Sequence, residues 1–315
     1  MYNFSHAMDI ICTNLRKEGF LRMSQGKHLP SILVKHHKNT AGRETEVMPI
    51  PDVVEICMSQ SIGAPCQPLV AKGDYVKVGQ KIGDTEAFVS APIHSSVSGT
   101  VTDITSVRSS MGGMETHIVI ETDKKQEISE EVQIPHIESH ADFVKAVRAS
   151  GMVGLGGASF PTSIKMDPKN LDECTTLVIN GVEENKPDAI ENLNRLIQQN
   201  GIGNIEVFKL QSRYPKGAER VLVYETTGKV MNAGVLPAQL GVILCNVSTI
   251  GILGQYFRTG MPLVQRRITV DGDAVAEPKN VFVPIGTRIA DVVAFCGGYK
   301  QEPKKIVMGG PIMGR

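Results

Sequence analysis

A short glycine-rich run in the middle of the chain restricts the backbone more than any other stretch. It reads Gly-Met-Val-Gly-Leu-Gly-Gly-Ala-Ser-Phe-Pro-Thr over residues 151–162, and Lys165 follows soon after. Glycine adopts positive φ at little steric cost and lets a ligand approach the main chain closely. Successive bare N–H groups in such a loop bind anions. The run therefore predicts a phosphate cradle, with Phe160 as an apolar wall and Lys165 as a counter-charge.

The residues before this run favour a helix. Ser139 is a typical N-cap residue, and Phe143, Val144 and Val147 follow at helical spacing. A dinucleotide-binding fingerprint needs a strand in front of its glycines, so the run does not match that motif. Tight packing of a turn explains such a loop as well as a phosphate site does, and both interpretations stay open on the residues alone.

Polar residues follow three further segments of the second half. Apolar runs predict strands at 175–180, 204–210 and 242–249, and helices are predicted from Asp188 and after Tyr214. Open α/β sheets bind ligands at the carboxyl ends of their strands, so these loops are candidates for one site. The alternative is that the asparagines form turns and that the glutamate begins a solvated helix. The polar candidates are Asn180, Glu183, Gly217, Glu219, Asn246 and Thr249.

Residues 48–122 consist of short β-branched runs separated by turns, which predicts a β domain. One of these short predicted strands is Ala87–Val89. The segments Val70–Asp84 and Ala91–Val101 look like the two halves of a biotinyl- or lipoyl-type barrel sandwich. Carrier domains of that type place a modified lysine at the tip of the hairpin between the two halves. The tip here, Asp84–Ala87, contains no lysine. A carrier function is therefore nearly excluded, and a structural or docking module is favoured.

The last part of the chain predicts a small mixed domain. Strands are expected over 267–273, 280–287 and 305–310, with a helix over 289–295. Between the β domain and the glycine-rich part, residues 123–138 are charged and poorly periodic, which is typical of a linker.

The composition excludes several other classes of function. Lys plus Arg and Asp plus Glu both total 33, Trp is absent and aromatic residues make up 5%, so nucleic-acid binding is not indicated. The six cysteines form no C-x-x-C pair, and His36 and His37 have no ligand partner at metal spacing. Neither a metal site nor an iron–sulfur cluster is therefore predicted. No apolar run is long enough to span a membrane.

The run Gly-Leu-Gly-Gly-Ala-Ser-Phe-Pro-Thr at 154–162 resembles the flavin loop of the RnfC family, the C subunits of Rnf-type electron transport complexes. It is more distantly similar to the flavoprotein subunit of respiratory complex I. The resemblance extends from about His36 to the last residue and includes the β-domain runs 63–68 and 88–99. It implies a mixed α/β and β protein. The implied parts are an N-terminal extension (1–47), an unmodified barrel sandwich (48–122), the linker (123–138), a Rossmann-like α/β domain that binds FMN and NADH (139–259) and a β-grasp domain of the SLBB type (260–315).

This resemblance also implies roles for individual residues. The loop amides and Lys165 would hold the FMN phosphate, Asn180 and Asn246 the ring and ribityl hydroxyls, and Glu219 would face the nicotinamide as the catalytic residue. The implied cofactor-binding residues are Gly154, Gly156, Gly157, Ala158, Phe160, Lys165, Asn180, Glu183, Gly217, Asn246 and Thr249.

Two departures from the family pattern qualify this expectation. Members read Asn-Gly-x-Glu-Cys-Glu-Pro-Tyr and, much later, Glu-x-Asn-Lys-Pro-x-Ala-Ile. This chain reads Asn-Gly-Val-Glu-Glu-Asn-Lys-Pro-Asp-Ala-Ile over 180–190, so two distant segments are fused near residue 183. The family continues into a ferredoxin-like domain that binds 4Fe–4S clusters, whereas the sequence here stops at Gly314-Arg315. No cluster is therefore expected within these residues.

The implied function is that of an NADH-oxidising, FMN-binding subunit of an ion-translocating electron transport complex, which passes electrons between NADH and ferredoxin. Its partners would be the other subunits, and it would lie in the cytoplasm, peripheral on the inner face of a bacterial membrane. The alternative is a non-catalytic docking subunit with a degenerate flavin site. The fused segment leaves open whether the chain is an active enzyme of the NADH dehydrogenase type.

Overall fold

The computed structural model describes residues 39–109, 112–181 and 186–309. The strands, in chain order, are β1 (Thr45–Val47), β2 (Val53–Cys57), β3 (Gln67–Pro68), β4 (Tyr75–Val76), β5 (Lys81–Asp84), β6 (Ile93–His94), β7 (Gly99–Arg108), β8 (Met114–Thr122), β9 (Thr176–Asn180), β10 (Val242–Asn246), β11 (Gln265–Val270) and β12 (Lys279–Pro284). The α-helices are α1 (His140–Ala149), α2 (Thr162–Met166), α3 (Pro187–Gln199), α4 (Glu219–Thr227), α5 (Val247–Thr259) and α6 (Ile289–Phe295).

These elements form two compact units. One unit contains the described residues from 134 to 260, and the other contains 39–133 together with 261–309. The second unit combines the barrel sandwich with the C-terminal module, although about 130 residues of the other unit separate them in the sequence. None of the helices in the described ranges is long and apolar enough to cross a membrane.

The barrel sandwich consists of two small antiparallel sheets around one core. A four-stranded sheet has the order β2-β8-β7-β4, and a three-stranded sheet has the order β3-β5-β6. Val54 and Ile56 alternate with outward residues along β2 and pack against Ile118 and Ile120 of β8 in the core. This alternation is what a sheet with one buried face requires, and it confirms the predicted barrel-sandwich fold.

One strand predicted in this domain does not form. Residues Ala87–Val89 lie in a bend, and Phe88 is 80% exposed. The hydroxyl of Ser90 donates a hydrogen bond to the Ala87 carbonyl at 2.6 Å, which closes the bend. The apolar run therefore gave the wrong prediction, because its aromatic side chain has no sheet face to pack against.

The charged segment after β8 is bonded to the barrel over its first ten residues. The Ser98 hydroxyl donates to Asp123 at 2.6 Å, and Lys77 pairs with Glu127 and Glu130 at 2.8 and 2.7 Å. Hydrogen bonds from Ser98 and Tyr75 lower the pKa of Asp123 to about 2. The charged side chains of this segment therefore bind it to the surface of the barrel.

The C-terminal module contains a three-stranded sheet, and one of its strands comes from the N-terminal side of the barrel. β12 lies in the middle, antiparallel to β11 and parallel to β1. Met48, just after β1, is buried in the same core as Val281 and Val292. The strand predicted at 305–310 does not form over the described residues up to 309, where Met308 is exposed.

A glycine joins this module to the barrel within the same unit. The Gly286 carbonyl accepts a hydrogen bond from the Glu55 amide at 2.8 Å, and Arg288 pairs with Glu55 at 2.7 Å. Gly286 has φ +94°, and a Cβ there would lie 2.8 Å from Cγ1 of Ile56. Both the backbone angle and the close approach require glycine at this position.

The α/β unit is built on the parallel pair β9 and β10. Helix α1 begins as predicted: the Ser139 hydroxyl accepts from the Asp142 amide, and the Asp142 carboxylate accepts from the Ser139 amide, which is a complete capping box. The strand predicted at 204–210 is wrong, because no regular element forms there. Ile205 and Phe208 are 40% and 42% exposed, so these apolar residues have no covering layer to hold them in a strand.

The buried histidine of β6 makes the stability of the barrel depend on pH. Burial, followed by the charge of Lys81, lowers the pKa of His94 to about 4. Between about pH 4 and 6.5 the unfolded chain binds a proton that the folded chain does not bind. The unfolding free energy therefore falls as the pH falls through this window, by up to about 3 kcal/mol. We expect His94→Gln to reduce this dependence in urea denaturation at pH 4.5 and 7, whereas the exposed His136→Gln keeps it.

Candidate functional site

The candidate site lies at the carboxyl edge of the parallel pair β9 and β10. Asn180 and Asn246, the last residues of the two strands, are register partners and therefore lie side by side. Parallel strands run in the same direction, so the last residues of both strands lie at the same edge of the sheet. The structure thus brings together two of the polar groups that the sequence predicted separately.

The glycine-rich loop lies against this edge. The amide of Leu155 donates a hydrogen bond to the Thr249 hydroxyl at 3.1 Å. A Cβ on Gly156 would lie 2.3 Å from Nδ2 of Asn246, so only glycine fits between the loop and the strand end. The positive φ angles of the loop occur at Gly151 and Ser159 and not at Gly156. The glycine at 156 is therefore required by close approach and not by its backbone angle.

The loop is closed at its base and open at its tip. The amide of Gly154 donates to the Phe160 carbonyl at 2.9 Å, and that of Thr162 donates to the Met152 carbonyl at 2.9 Å. At the tip, the amides of residues 156–159 donate no hydrogen bond within the described part of the chain. A Cβ on Gly157 would meet nothing within 4 Å. Successive amides without a protein acceptor are suited to bind an anion.

Asn246 has a structural role as well as its place at the edge. Its side-chain oxygen accepts a hydrogen bond from the Ser248 amide at 2.8 Å and caps helix α5. This interaction fixes the orientation of the amide group, whose nitrogen lies next to Gly156. Thr249 in the first turn of α5 is buried and anchors the loop through Leu155. Loop, strand end and helix start are therefore one connected structure.

A second loop, which contains Gly217 and directly precedes helix α4, reaches the same edge. Nδ2 of Asn180 lies 3.5 Å from the Gly217 carbonyl, and Nζ of Lys165 lies 3.8 Å from a carboxylate oxygen of Glu219. The preceding Lys216 is buried and pairs with Glu225 of α4. This buried pair holds the loop against its helix. No sequence pattern indicated the pair, because its formation depends on how the loop folds back.

The predicted site residues that the structure describes lie at or near one edge of the sheet. Glu183 lies outside the described residues. Gly156, Gly157 and Ala158 form the exposed tip of the loop, and Phe160 lies at its base, half-buried. The residues that this edge brings together are Gly154, Gly156, Gly157, Ala158, Phe160, Lys165, Asn180, Gly217, Glu219, Asn246 and Thr249.

The chemistry available at this edge is binding and positioning. Amide groups, a hydroxyl and one Lys–Glu pair can hold a polar ligand and its phosphate. Cys245 lies next to them on β10, but burial raises the pKa of its thiol to about 11, so the thiol stays protonated and is a poor nucleophile. Electron transfer at this edge would therefore use a bound redox cofactor.

Three family models match the chain. The model described as RnfC barrel sandwich hybrid domain matches residues 22–125, the Nuo51 FMN-binding domain matches residues 181–253, and the SLBB domain matches residues 267–315. The first and third agree with the barrel sandwich and the C-terminal module. The second includes β10 and the whole of α4 but begins after the glycine-rich loop.

Curated proteins are similar over most of the chain. The C subunit of the proton-translocating ferredoxin:NAD(+) oxidoreductase complex of Clostridium ljungdahlii is 36% identical over 88% of this chain and 69% of its own length. The corresponding C subunit of the Na(+)-translocating complex of Acetobacterium woodii is 36% identical over 84% and 69%. That of an ion-translocating oxidoreductase complex of Rhodobacter capsulatus is 31% identical over 89% and 62%.

The lengths of these alignments show that the relatives contain additional residues. The alignment with the Clostridium ljungdahlii protein runs over 320 positions, which exceeds the 315 residues of this chain, although only 88% of the chain takes part. The relative therefore carries residues inside the aligned region that have no counterpart here.

The contact between the loop and Asn246 leads to a stability prediction. In Gly156→Ala the new methyl group forces the Asn246 side chain away, so the cap of α5 is lost at a cost of about 1–2 kcal/mol. Gly157→Ala is the matched control, because its methyl group meets nothing. Urea denaturation should show a lower midpoint for the first variant only. Equal midpoints would mean that the loop does not press on the strand end.

Proposed function

The chain belongs to the RnfC family, and we propose that it is an FMN-binding, NADH-oxidising subunit of an ion-translocating ferredoxin:NAD(+) oxidoreductase complex. The observation that carries the proposal is the row of unbonded amides at residues 156–159, in a loop whose Gly156 lies against Asn246, the register partner of Asn180. The match of the Nuo51 FMN-binding domain to residues 181–253 supports the same edge of the sheet.

The residues present at the edge fit FMN. The tip of the loop has small residues and unbonded N–H groups for the phosphate. Lys165 supplies a positive charge, and its Nζ lies 3.8 Å from a carboxylate oxygen of Glu219. The Asn246 oxygen is occupied by the helix cap, which leaves its amide nitrogen as the donor for a ligand. The Asn180 amide makes only one long contact of 3.5 Å and can turn to a ligand.

Bound FMN would supply the redox chemistry, since a flavin accepts a hydride and returns electrons one at a time. The protein contributes orientation and charge. Glu219 at the start of α4 would face the nicotinamide side, and its pairing with Lys165 keeps the two charges balanced before a phosphate binds. In the proposed complex the chain lies peripherally on the inner face of the membrane, with the other subunits as partners.

A docking role without catalysis is the second candidate. Two observations favour this role. The relative carries residues inside the aligned region that this chain lacks, and two family segments are fused near residue 183. If those residues include the acidic turn that follows the Asn-Gly of the family, one to three hydrogen bonds of about 1 kcal/mol each are missing from the flavin site. Each loss of about 1.4 kcal/mol weakens binding tenfold, so these missing bonds would weaken FMN binding by about 5- to 150-fold.

The phosphate contacts can be tested by comparing two flavins. We expect FMN to bind weakly but saturably, and riboflavin, which lacks the phosphate, to bind more weakly still. Lys165→Gln should weaken FMN binding about tenfold and leave riboflavin binding unchanged, because it removes a charge that only the phosphate uses. The exposed Lys169→Gln is the matched control. Fluorescence titration measures both flavins, and no FMN binding at millimolar concentration would leave only the docking role.

The hydride-transfer role can be tested separately from binding. Under anaerobic conditions NADH should bleach the flavin absorbance of the FMN-loaded protein slowly. Glu219→Gln should slow the bleaching by about tenfold or more. FMN should bind this variant at least as tightly as the parent, because Lys165 loses its competing carboxylate partner. The control Glu191→Gln, on the exposed side of α3, should behave like the parent. Equal rates in all three proteins would remove Glu219 from the reaction.

A further inference from the structure

Three potential metal ligands lie together on the outer face of the barrel sandwich, in the unit that does not contain the flavin site. Cys57 of β2 and His117 of β8 are register partners, and Glu115 precedes His117 by two residues on the same strand. Side chains two apart on a strand share a face, so all three project from the same side of the sheet. Each is half-buried.

The spacing of their donor atoms fits a small cation. One ligand atom from each residue, a sulfur, a nitrogen and an oxygen, lies within 4.8 Å of the other two. The Cys57 sulfur is 3.6 Å from Oε2 of Glu115. In a tetrahedral zinc site with bonds of about 2.0–2.3 Å, ligand atoms are separated by roughly 3.4–3.7 Å. Small side-chain rotations therefore complete the arrangement.

Among the described residues, one of these groups lacks a hydrogen-bond partner, and another lacks a counter-charge. Nδ1 of His117 is buried and forms no hydrogen bond within the described residues. No lysine or arginine in that part of the chain forms an ion pair with Glu115, whose hydrogen-bond partner is the Cys57 thiol. A buried polar atom without a partner is uncommon and requires an explanation, such as an ion.

We propose that Cys57, Glu115 and His117 bind a zinc-like divalent cation. Thiolate and imidazole ligands select zinc and related ions over magnesium and calcium, which prefer oxygen. One thiolate, one carboxylate and a neutral imidazole balance the two positive charges. Three protein ligands leave a fourth position for water or an external donor. Glu115 also lines a surface groove, together with Ser59, Met114 and Thr116.

The alternative role for Cys57 is that of a reactive thiol. Burial is the main cause that raises the pKa of this thiol to about 11, and the neighbouring carboxylate of Glu115 raises it further, while the Ser59 amide opposes the shift. Reactive cysteines have a lowered pKa because the thiolate is the nucleophile. A bound cation displaces the proton directly, so the same cluster suits a metal and does not suit redox chemistry.

The test is zinc binding by the full chain after treatment with a chelator. Isothermal titration should show about one zinc ion per chain for the parent protein. Cys57→Ser, Glu115→Gln and His117→Gln should each weaken binding about tenfold or more. His136→Gln is the matched control, because this exposed histidine lies 3.8 Å from Glu138 in a different part of the chain. Its affinity should equal that of the parent.

Two further measurements distinguish the loss of the metal site from misfolding of a variant. Zinc should raise the thermal midpoint of the parent and of His136→Gln, since a ligand that binds only the folded state stabilises it. Cobalt should give a sulfur-to-metal charge-transfer band in the parent that is absent from Cys57→Ser. Zinc binding of equal strength in all variants would place the ion elsewhere, for example at His36 and His37, and would overturn the proposal. So would a parent without the cobalt band.

Discussion

The parallel pairing of β9 with β10 is the contact on which the candidate flavin site depends. It aligns Asn180 with Asn246, and two loops from distant parts of the chain lie at the same edge. Leu155 of the glycine-rich loop is bonded to Thr249, and Gly217 of the other loop contacts Asn180. Lys165 of α2 and Glu219 of α4 form a further contact between these segments. A change of register in this pair would separate all of these groups at once.

The glycine-rich loop illustrates how one backbone segment can serve packing and binding together. Its base is tied by hydrogen bonds between Gly154 and Phe160, and Gly156 is pressed against Asn246. These contacts are of the kind that the packing interpretation requires. The same contacts leave the amides at the tip without partners, which is what an anion site requires. The two interpretations left open on the sequence are therefore compatible.

The two units carry different kinds of chemistry. The α/β unit offers amides, a Lys–Glu pair and open space, which suits a phosphorylated cofactor. The barrel sandwich offers a thiol, a carboxylate and an imidazole across two strands, which suits a cation. The second set is independent of the family resemblance. A metal site was not predicted from the sequence, because the cysteine and the other two ligands are almost sixty residues apart and become neighbours only through strand pairing.

Local chemistry determined the features that the sequence alone predicted correctly. The helix cap at Ser139 and the helix at Ile289–Phe295 depend on neighbours along the chain. Only the tertiary structure decided that β1 joins β12, that residues 204–210 form no strand, and that Asn180 lies beside Asn246. Strand formation requires a partner and a covering layer, and these come from distant residues that no local pattern records.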